Sequence, residues 1–374
     1  MLEEFIFNFT HNLFKPLLLF FYLGFLITLL KVPLEYPSAL YKAITIYLLI
    51  AIGWHGGEEL AELSMNDLTI ALGFMVIGFF TNAFIGIVAY FALRQVTKLR
   101  RIDTAVVAGY YGSDSAGTFL TCMGVLVTAN IAFAAYMPVL LAVMEIPGCL
   151  VAIYLVSRIR HSGQMDEKGN MPGEPGYDPA SVRITETQDG HSQKMISKKV
   201  LHEIFLNPGI FLLFGGIVIG FISRLQGVEV TEANDSFFVV LFQGVLCLFL
   251  LEMGMAACKE LKDLRLGGKG FIAFGLLAPN VFATIGILIA HGYSMMLGHT
   301  FELGTYVLFA VLCAAASYIA VPAIQRIAIP ESSPTLPLAA SLGLTFTYNV
   351  TIGIPVYILI ATAVTTLMPI TIAM

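Results

Sequence analysis

The sequence predicts an all-α integral membrane protein. It is expected to have ten transmembrane helices in two inverted five-helix repeats, with the fourth and ninth helices broken and both termini outside. Three observations carry this expectation. Of the 374 residues, 57% are hydrophobic and only 12% charged, against about a quarter charged in a soluble domain. Apolar runs long enough to span a bilayer recur along nearly the whole chain. Lys and Arg fall almost entirely on alternate loops.

Taken in order, the first five spans are predicted at about 13–32, 37–56, 68–93, 104–126 and 130–157. A polar segment over 158–207 follows. The second five lie at about 209–227, 236–257, 270–292, 303–325 and 336–368. The predicted units are therefore a first repeat over 1–157, a cytoplasmic loop over 158–207 and a second repeat over 208–374. Loops one, three, five, seven and nine and their flanks hold 18 basic residues, among them Arg94, Arg100, Arg158, Lys199, Lys259 and Arg326. The other side holds only Lys15 and Arg224. The basic side is cytoplasmic, which puts both termini outside. The N-terminus begins acidic with Glu3 and Glu4, so no cleavable signal peptide is expected. A multi-pass protein of the cell inner (plasma) membrane, in contact with lipid and without nucleic acid, is the expectation.

His161 to Gln188 is rich in Gly, Pro, Glu and Asp and poor in aliphatic residues, the composition of a loosely ordered stretch. Ser192 to Phe205 sets Met195, Ile196, Val200, Leu201, Ile204 and Phe205 among three lysines. That pattern fits an amphipathic helix on the inner membrane surface; a plain linker with a basic membrane-flanking end is the alternative. The five cysteines (Cys122, Cys149, Cys247, Cys258, Cys313) read as small hydrophobes with no disulfide framework. Trp54 and many tyrosines suit interfacial belts, and His55, His291 and His299 read as wetted residues near span ends.

Faint matches support the repeat. Gly53, Glu59, Leu60 and Leu63 close the second span as Gly254, Glu260, Leu261 and Leu264 close the seventh. Pro16 and Gly24 match Pro208 and Gly216, and Ile146-Pro147 matches Ile354-Pro355. An odd number of spans per copy inverts the second copy, and transporters of this plan place their site where broken helices meet near the midplane.

The fourth span carries Gly109-Tyr110-Tyr111-Gly112-Ser113-Asp114-Ser115-Ala116-Gly117-Thr118 where a lipid-facing helix would carry Leu and Val. Irregular backbone at membrane depth survives only where it is buried in protein or lines a cavity. An ionisable residue there is a functional-site hypothesis by default. Its counterpart in the ninth span is Ala314-Ala315-Ala316-Ser317-Tyr318, with Pro322 to break the helix nearby. Two half-helix N-termini would offer free N–H groups and positive dipole ends to a small oxyanion. Gly112, Ser113, Ser115, Ala116, Gly117, Thr118, Ala316, Ser317 and Tyr318 are the candidate substrate residues. Asp114, Glu145 and Ser317 are candidates for a small cation such as sodium beside the anion. Glu252 is a third deep acid without an assigned role. Asn82, Asn280 and Asn349 read as makers of interhelical hydrogen bonds.

Over nearly its full length the chain resembles the SbtA family of sodium-dependent bicarbonate transporters. The resemblance rests on the ten-span plan with its central loop, on Gly109 to Thr118, on Met144-Glu145-Ile146-Pro147, on Met253-Gly254-Met255 and on Ala314 to Pro330 with Arg326 and Ile329-Pro330. It implies bicarbonate bound at the broken helices, sodium coupling, a core domain moving against a trimer-forming gate domain, and inhibition by a PII-like regulator, SbtB, at the cytoplasmic side. The chain departs from the family pattern in three places. Tyr318 stands at the family's Asp position, Gly117 replaces a serine, and Asp114 replaces an apolar residue. Either a carboxylate has moved from one break to the other, or substrate or coupling has changed. A cation–proton antiporter, a carrier of another organic anion and a receptor signalling through the 158–207 loop stay open. No HExxH, GxSxG or Cys/His pattern marks an enzyme.

Overall fold

The computed structural model describes residues 14–182, 206, 208–261, 264, 267–318 and 320–370. The predicted amphipathic helix over 192–205 lies outside them. The described chain is helical, with no named strand. Its helices are α1 Pro16–Leu29, α2 Ser38–Ala61, α3 Met65–Val96, α4 Arg101–Tyr111, α5 Ala116–Thr128, α6 Met137–Arg160, α7 Pro208–Gln226, α8 Val228–Glu260, α9 Gly268–Leu297, α10 Leu303–Ala314, α11 Ala320–Ala328 and α12 Leu336–Leu367.

Seven of these are long and apolar enough to cross a membrane, and α1 and α10 are shorter apolar helices. Their ends follow local chemistry. Ser64 caps α3, accepting from the Asp67 N–H at 3.2 Å. Gly298 closes α9 in a left-handed conformation, φ 62°. The fifth predicted span begins later than its apolar composition suggests. Asn130 ends α5 with φ 54°, and the loop behind it is bonded to the start of α10. There Gly304 N–H donates to Ala132 O and Ala134 N–H to Thr305 Oγ1, at 2.9 and 2.8 Å. The seventh begins earlier, because only Gly227, at φ 133°, separates α7 from α8.

The helices sort into two bundles. In one, α1 packs along α8 and α2 along α7. In the other, α3, α4–α5, α6, α9, α10–α11 and α12 pack together. Close backbone approach makes the first bundle. A Cβ on Gly24 would stand 1.9 Å from Leu251 O, and one on Gly254 would stand 2.1 Å from Phe21 O. At the other crossing, Gly216 faces Ile50 O at 2.7 Å and Gly53 faces Leu213 O at 2.5 Å. In all four cases the carbonyl belongs to the residue three before the partner glycine. The α1–α8 crossing is therefore repeated, glycine for glycine, in the α7–α2 crossing.

Trp54 differs from its interfacial expectation. It is buried at the α2–α7 crossing and donates to Asp235 Oδ1 at 3.2 Å, stacked on Phe238. Arg224 pairs with Glu62 at the same end of the bundle.

Residues 161–182 also differ from expectation: they are packed, not loose. Buried Asp166 accepts from the N–H groups of Lys168, Asn170 and Asp178 and from Asn170 Nδ2, at 2.7 to 3.1 Å. Glu174 accepts from the N–H groups of Arg101 and Met171. Arg100 donates to Lys168 O, Asn170 Oδ1 and Glu331 O and is paired with Asp103. Hydrogen-bonded turns replace the apolar core that the composition could not supply. The loop thereby ties the start of α4 to the segment after α11.

Candidate substrate and ion site

The fourth span breaks where the sequence places it. α4 stops at Tyr111, with Gly112 as its cap. Ser113, Asp114 and Ser115 follow, residue types whose side chains compete for backbone hydrogen bonds and so disfavour a helix interior. Ser115 is extended and caps α5, its Oγ accepting from Thr118 N–H at 3.3 Å.

The ninth span breaks after Ala314. α10 ends at Ala314, Ala315 is extended, and α11 starts at Ala320. Pro322 sits in the first turn of α11, where its missing N–H removes no helical bond. Ser317 Oγ accepts a long bond, 3.5 Å, from Val321 N–H.

The two breaks meet. Ser317 N–H donates to Tyr110 O at 2.9 Å, a carbonyl at the end of α4 that also accepts a longer bond, 3.4 Å, from Ser113 N–H. Two side chains from other helices, Asn349 and Asn82, and one bond between the broken spans hold the region together. Asn349 Nδ2 donates to Ala314 O at 3.1 Å and is held by Tyr357. Asn82 Nδ2 donates to Met144 O at 2.9 Å and more weakly to Leu312 O at 3.4 Å. Tyr110 OH donates to Gln325 Oε1 at 2.6 Å. The expectation of interhelical bonding for Asn82, Asn280 and Asn349 holds, with Asn280 accepting from Tyr348 OH. Gln325 carries no sequence signal beyond being polar in an apolar span.

Each candidate residue now has a place. Ser113 is buried and donates to Glu145 O at 2.6 Å. Asp114 is 0% exposed, and neither of its oxygens has a hydrogen-bond partner. The bond from its neighbour Ser113 to Glu145 O brings it near that second buried acid. Gly117 lies under Tyr318. A Cβ there would stand 1.8 Å from the Tyr318 hydroxyl and 3.1 Å from the Phe249 ring of α8. Tyr318 is 9% exposed, its hydroxyl has no partner, and its ring meets Phe346 edge-on. Ala316, Ser317 and Thr118 are buried beside them.

Glu145 faces a different space. With Ala116 and Leu141 it lines a cavity of about 20 Å³ whose opposite wall is Leu49, Ile210 and Leu213 of the first bundle. A second cavity, about 250 Å³, lies between Ile52, His55 and Phe242 on one side and Met123, Val127 and Phe133 on the other. Both lie between the bundles.

Two readings of single residues change. His291 is 2% exposed, neither ring nitrogen has a partner, and its ring packs near Tyr306, so it is not wetted. Glu252 is half-buried on α8, with one oxygen lacking a partner and its charge felt by Tyr36 and Tyr41. All five cysteines are free thiols.

The family model described as the Na+-dependent bicarbonate transporter superfamily matches residues 16–362. The chain belongs to this superfamily. The match runs from α1 into α12 and includes both breaks, as the resemblance in the sequence anticipates. It makes the chain a multi-pass membrane protein of a transporter family whose named substrate is bicarbonate and whose named dependence is on sodium. No curated protein matches the chain.

Proposed function

We propose that this protein imports bicarbonate, or a small anion like it, coupled to sodium, by alternating access around the two broken helices. The observation that carries the reading is the joined break. Ser317 N–H on Tyr110 O sets the start of α5, capped by Ser115, beside the start of α11. Free N–H groups and the positive end of α5 favour an oxyanion, and the Ser115 and Tyr318 hydroxyls supply side-chain donors. Gly112, Ser113, Ala116, Gly117, Thr118, Ala316 and Ser317 shape the cradle. Asp114 takes the cation, with Glu145 and Ser317 nearby. A cation there offsets the cost of bringing an anion into the membrane, so neither enters cheaply alone.

In this reading the ten spans form two inverted repeats over 1–157 and 208–374, with termini outside and the 158–207 loop cytoplasmic. The glycine-for-glycine equivalence of the two crossings supports the repeat. The first bundle is the gate, assembled as a homotrimer in the cell inner membrane, and the second bundle is the moving core. A PII-like regulator of the SbtB type would act from the cytoplasmic side.

The test is uptake of labelled bicarbonate into proteoliposomes. An inward sodium gradient should drive it, and Asp114→Asn or Ser115→Ala should reduce it at least tenfold, as expected for about 1.4 kcal/mol or more lost at the site. Uptake indifferent to sodium would sink the coupling. Exchange of cations for protons without any anion, dependent on Glu145, would favour the antiporter reading.

A further inference from the structure

We propose that Asn82 is a ligand of the cation, and that the cation site lies between α3 and Asp114 at the fourth-helix break. The inference rests on the sodium-coupled reading and names a residue and a place which that reading lacks.

Asn82 sits at the middle of α3 and is fully buried. Its amide orientation is forced. Two main-chain carbonyls, Met144 O and Leu312 O, face the same end of the group. Only the NH₂ can satisfy two acceptors, because the flipped amide would set an oxygen against both. Oδ1 therefore points the other way, and it has no hydrogen-bond partner. An unpartnered amide oxygen in an apolar interior is left without the water it would otherwise bind, which disfavours the empty site.

The same region holds a second orphan. Both oxygens of Asp114 are fully buried and unpartnered. The links between the two are short in the fold. Asn82 Nδ2 bonds Leu312 O and Met144 O, and the residue next to Asp114, Ser113, bonds the carbonyl that follows Met144. A Cβ on Gly112, two residues before Asp114, would stand 3.1 Å from the Asn82 main-chain oxygen. The hydroxyl nearest in sequence does not help, since Ser113 Oγ already donates to Glu145 O.

Three unpartnered oxygens and no donor form the wrong surroundings for an anion and the right ones for a hard cation, which takes oxygen ligands. A cation bound at Asp114 would fix the backbone that carries the Ser115 cap, so one ion prepares the cradle for the other.

Sodium binding can be read without any transport. Purified full-length protein, free of bicarbonate, should gain thermal stability with NaCl and not with choline chloride at equal ionic strength. Asp114→Asn should abolish that gain. Asn82→Ala should raise the sodium midpoint at least about tenfold, the factor that 1.4 kcal/mol gives. Asn280→Ala, which removes a membrane amide bonded to Leu276 O and Tyr348 OH and not to Asp114 or Asn82, should leave it within about twofold. If Asn82→Ala does not fold, Asn82→Ser keeps one O–H donor for one of the two carbonyls while withdrawing Oδ1, and the same rise is expected. A wild-type measurement needs no variant: crystals grown with thallium(I) should show an anomalous peak within about 3 Å of Asn82 Oδ1 and of Asp114, a contact distance for large monovalent ions bound by oxygen. An unchanged midpoint in a folded Asn82 variant, or a peak elsewhere, overturns the proposal. Sodium binding without bicarbonate uptake would fail the transport reading and leave this one standing.

Discussion

Gly117 and Tyr318 are the two departures from the family pattern that the structure sets in contact. With 1.8 Å between the Tyr318 hydroxyl and a Cβ at 117, a side chain at 117 and a hydroxyl at 318 are mutually exclusive. Gly117→Ala should therefore lower thermal stability by about 1–3 kcal/mol, the range for overpacking, and depress uptake. Tyr318→Phe removes the clashing atom. The double variant should be more stable than Gly117→Ala alone, a non-additivity that a double-mutant cycle detects. Asp166 gives a second test. Burial disfavours its charge, but the N–H donors of Asn170, Asp178 and Lys168 outweigh this and hold its carboxyl below the ordinary value. A depressed carboxylate stabilises the fold above its unfolded value, about 3.9, and that contribution disappears as pH falls through the lower folded value. Residues 166–178 should keep their amide protection from neutral pH down to about pH 4, while Asp166→Ala should lose it at neutral pH in hydrogen exchange. Single polar residues in apolar runs were readable: Asp114, Ser115 and Ser317 stand out against hydrocarbon. Asp166 was not, because one acid among many in a polar stretch carries no mark of the four donors that surround it.

The helix breaks were legible for a physical reason. Glycine and hydroxyl residues in an otherwise unbroken span leave backbone groups that lipid cannot satisfy, so the chain must break inside the protein. What the sequence could not show is who satisfies the loose ends, since Asn82 and Asn349 arrive from distant helices. Glycines tell a similar story. Gly24, Gly53, Gly216 and Gly254 look alike among 34 glycines, yet these four set the crossings of α1 with α8 and α2 with α7. Gly57 belongs to the second crossing, where a Cβ would stand 2.1 Å from Ile217 O. A main-chain oxygen cannot turn aside as a side chain can, so the helices must part. Gly57→Ala should lower the melting temperature more than Gly215→Ala, whose Cβ meets nothing. Equal melting temperatures for the two variants would refute the close-packed crossing.

The proposed alternating access requires the two bundles to move against each other, and two cavities lie between them. Phe249 of α8 and Tyr41 of α2 stack at the face toward Gly117. The Glu145 cavity separates Leu49 of α2 from Leu141 of α6. If transport carries the broken helices past the first bundle, these walls must part in each cycle. Leu49→Cys with Leu141→Cys, in a background where the five native cysteines are replaced, puts one thiol on each wall. Four of the native thiols are buried, so their replacement by Ala or Ser needs a stability check before the pair is introduced. Bridging the pair with a mercuric ion should stop uptake, and excess thiol should restore it. Either single cysteine should be unaffected by the same treatment. Full uptake with the bridge in place would mean that the bundles do not separate along this wall, and the motion would then have to lie within the second bundle, at the joint where Ser317 meets Tyr110.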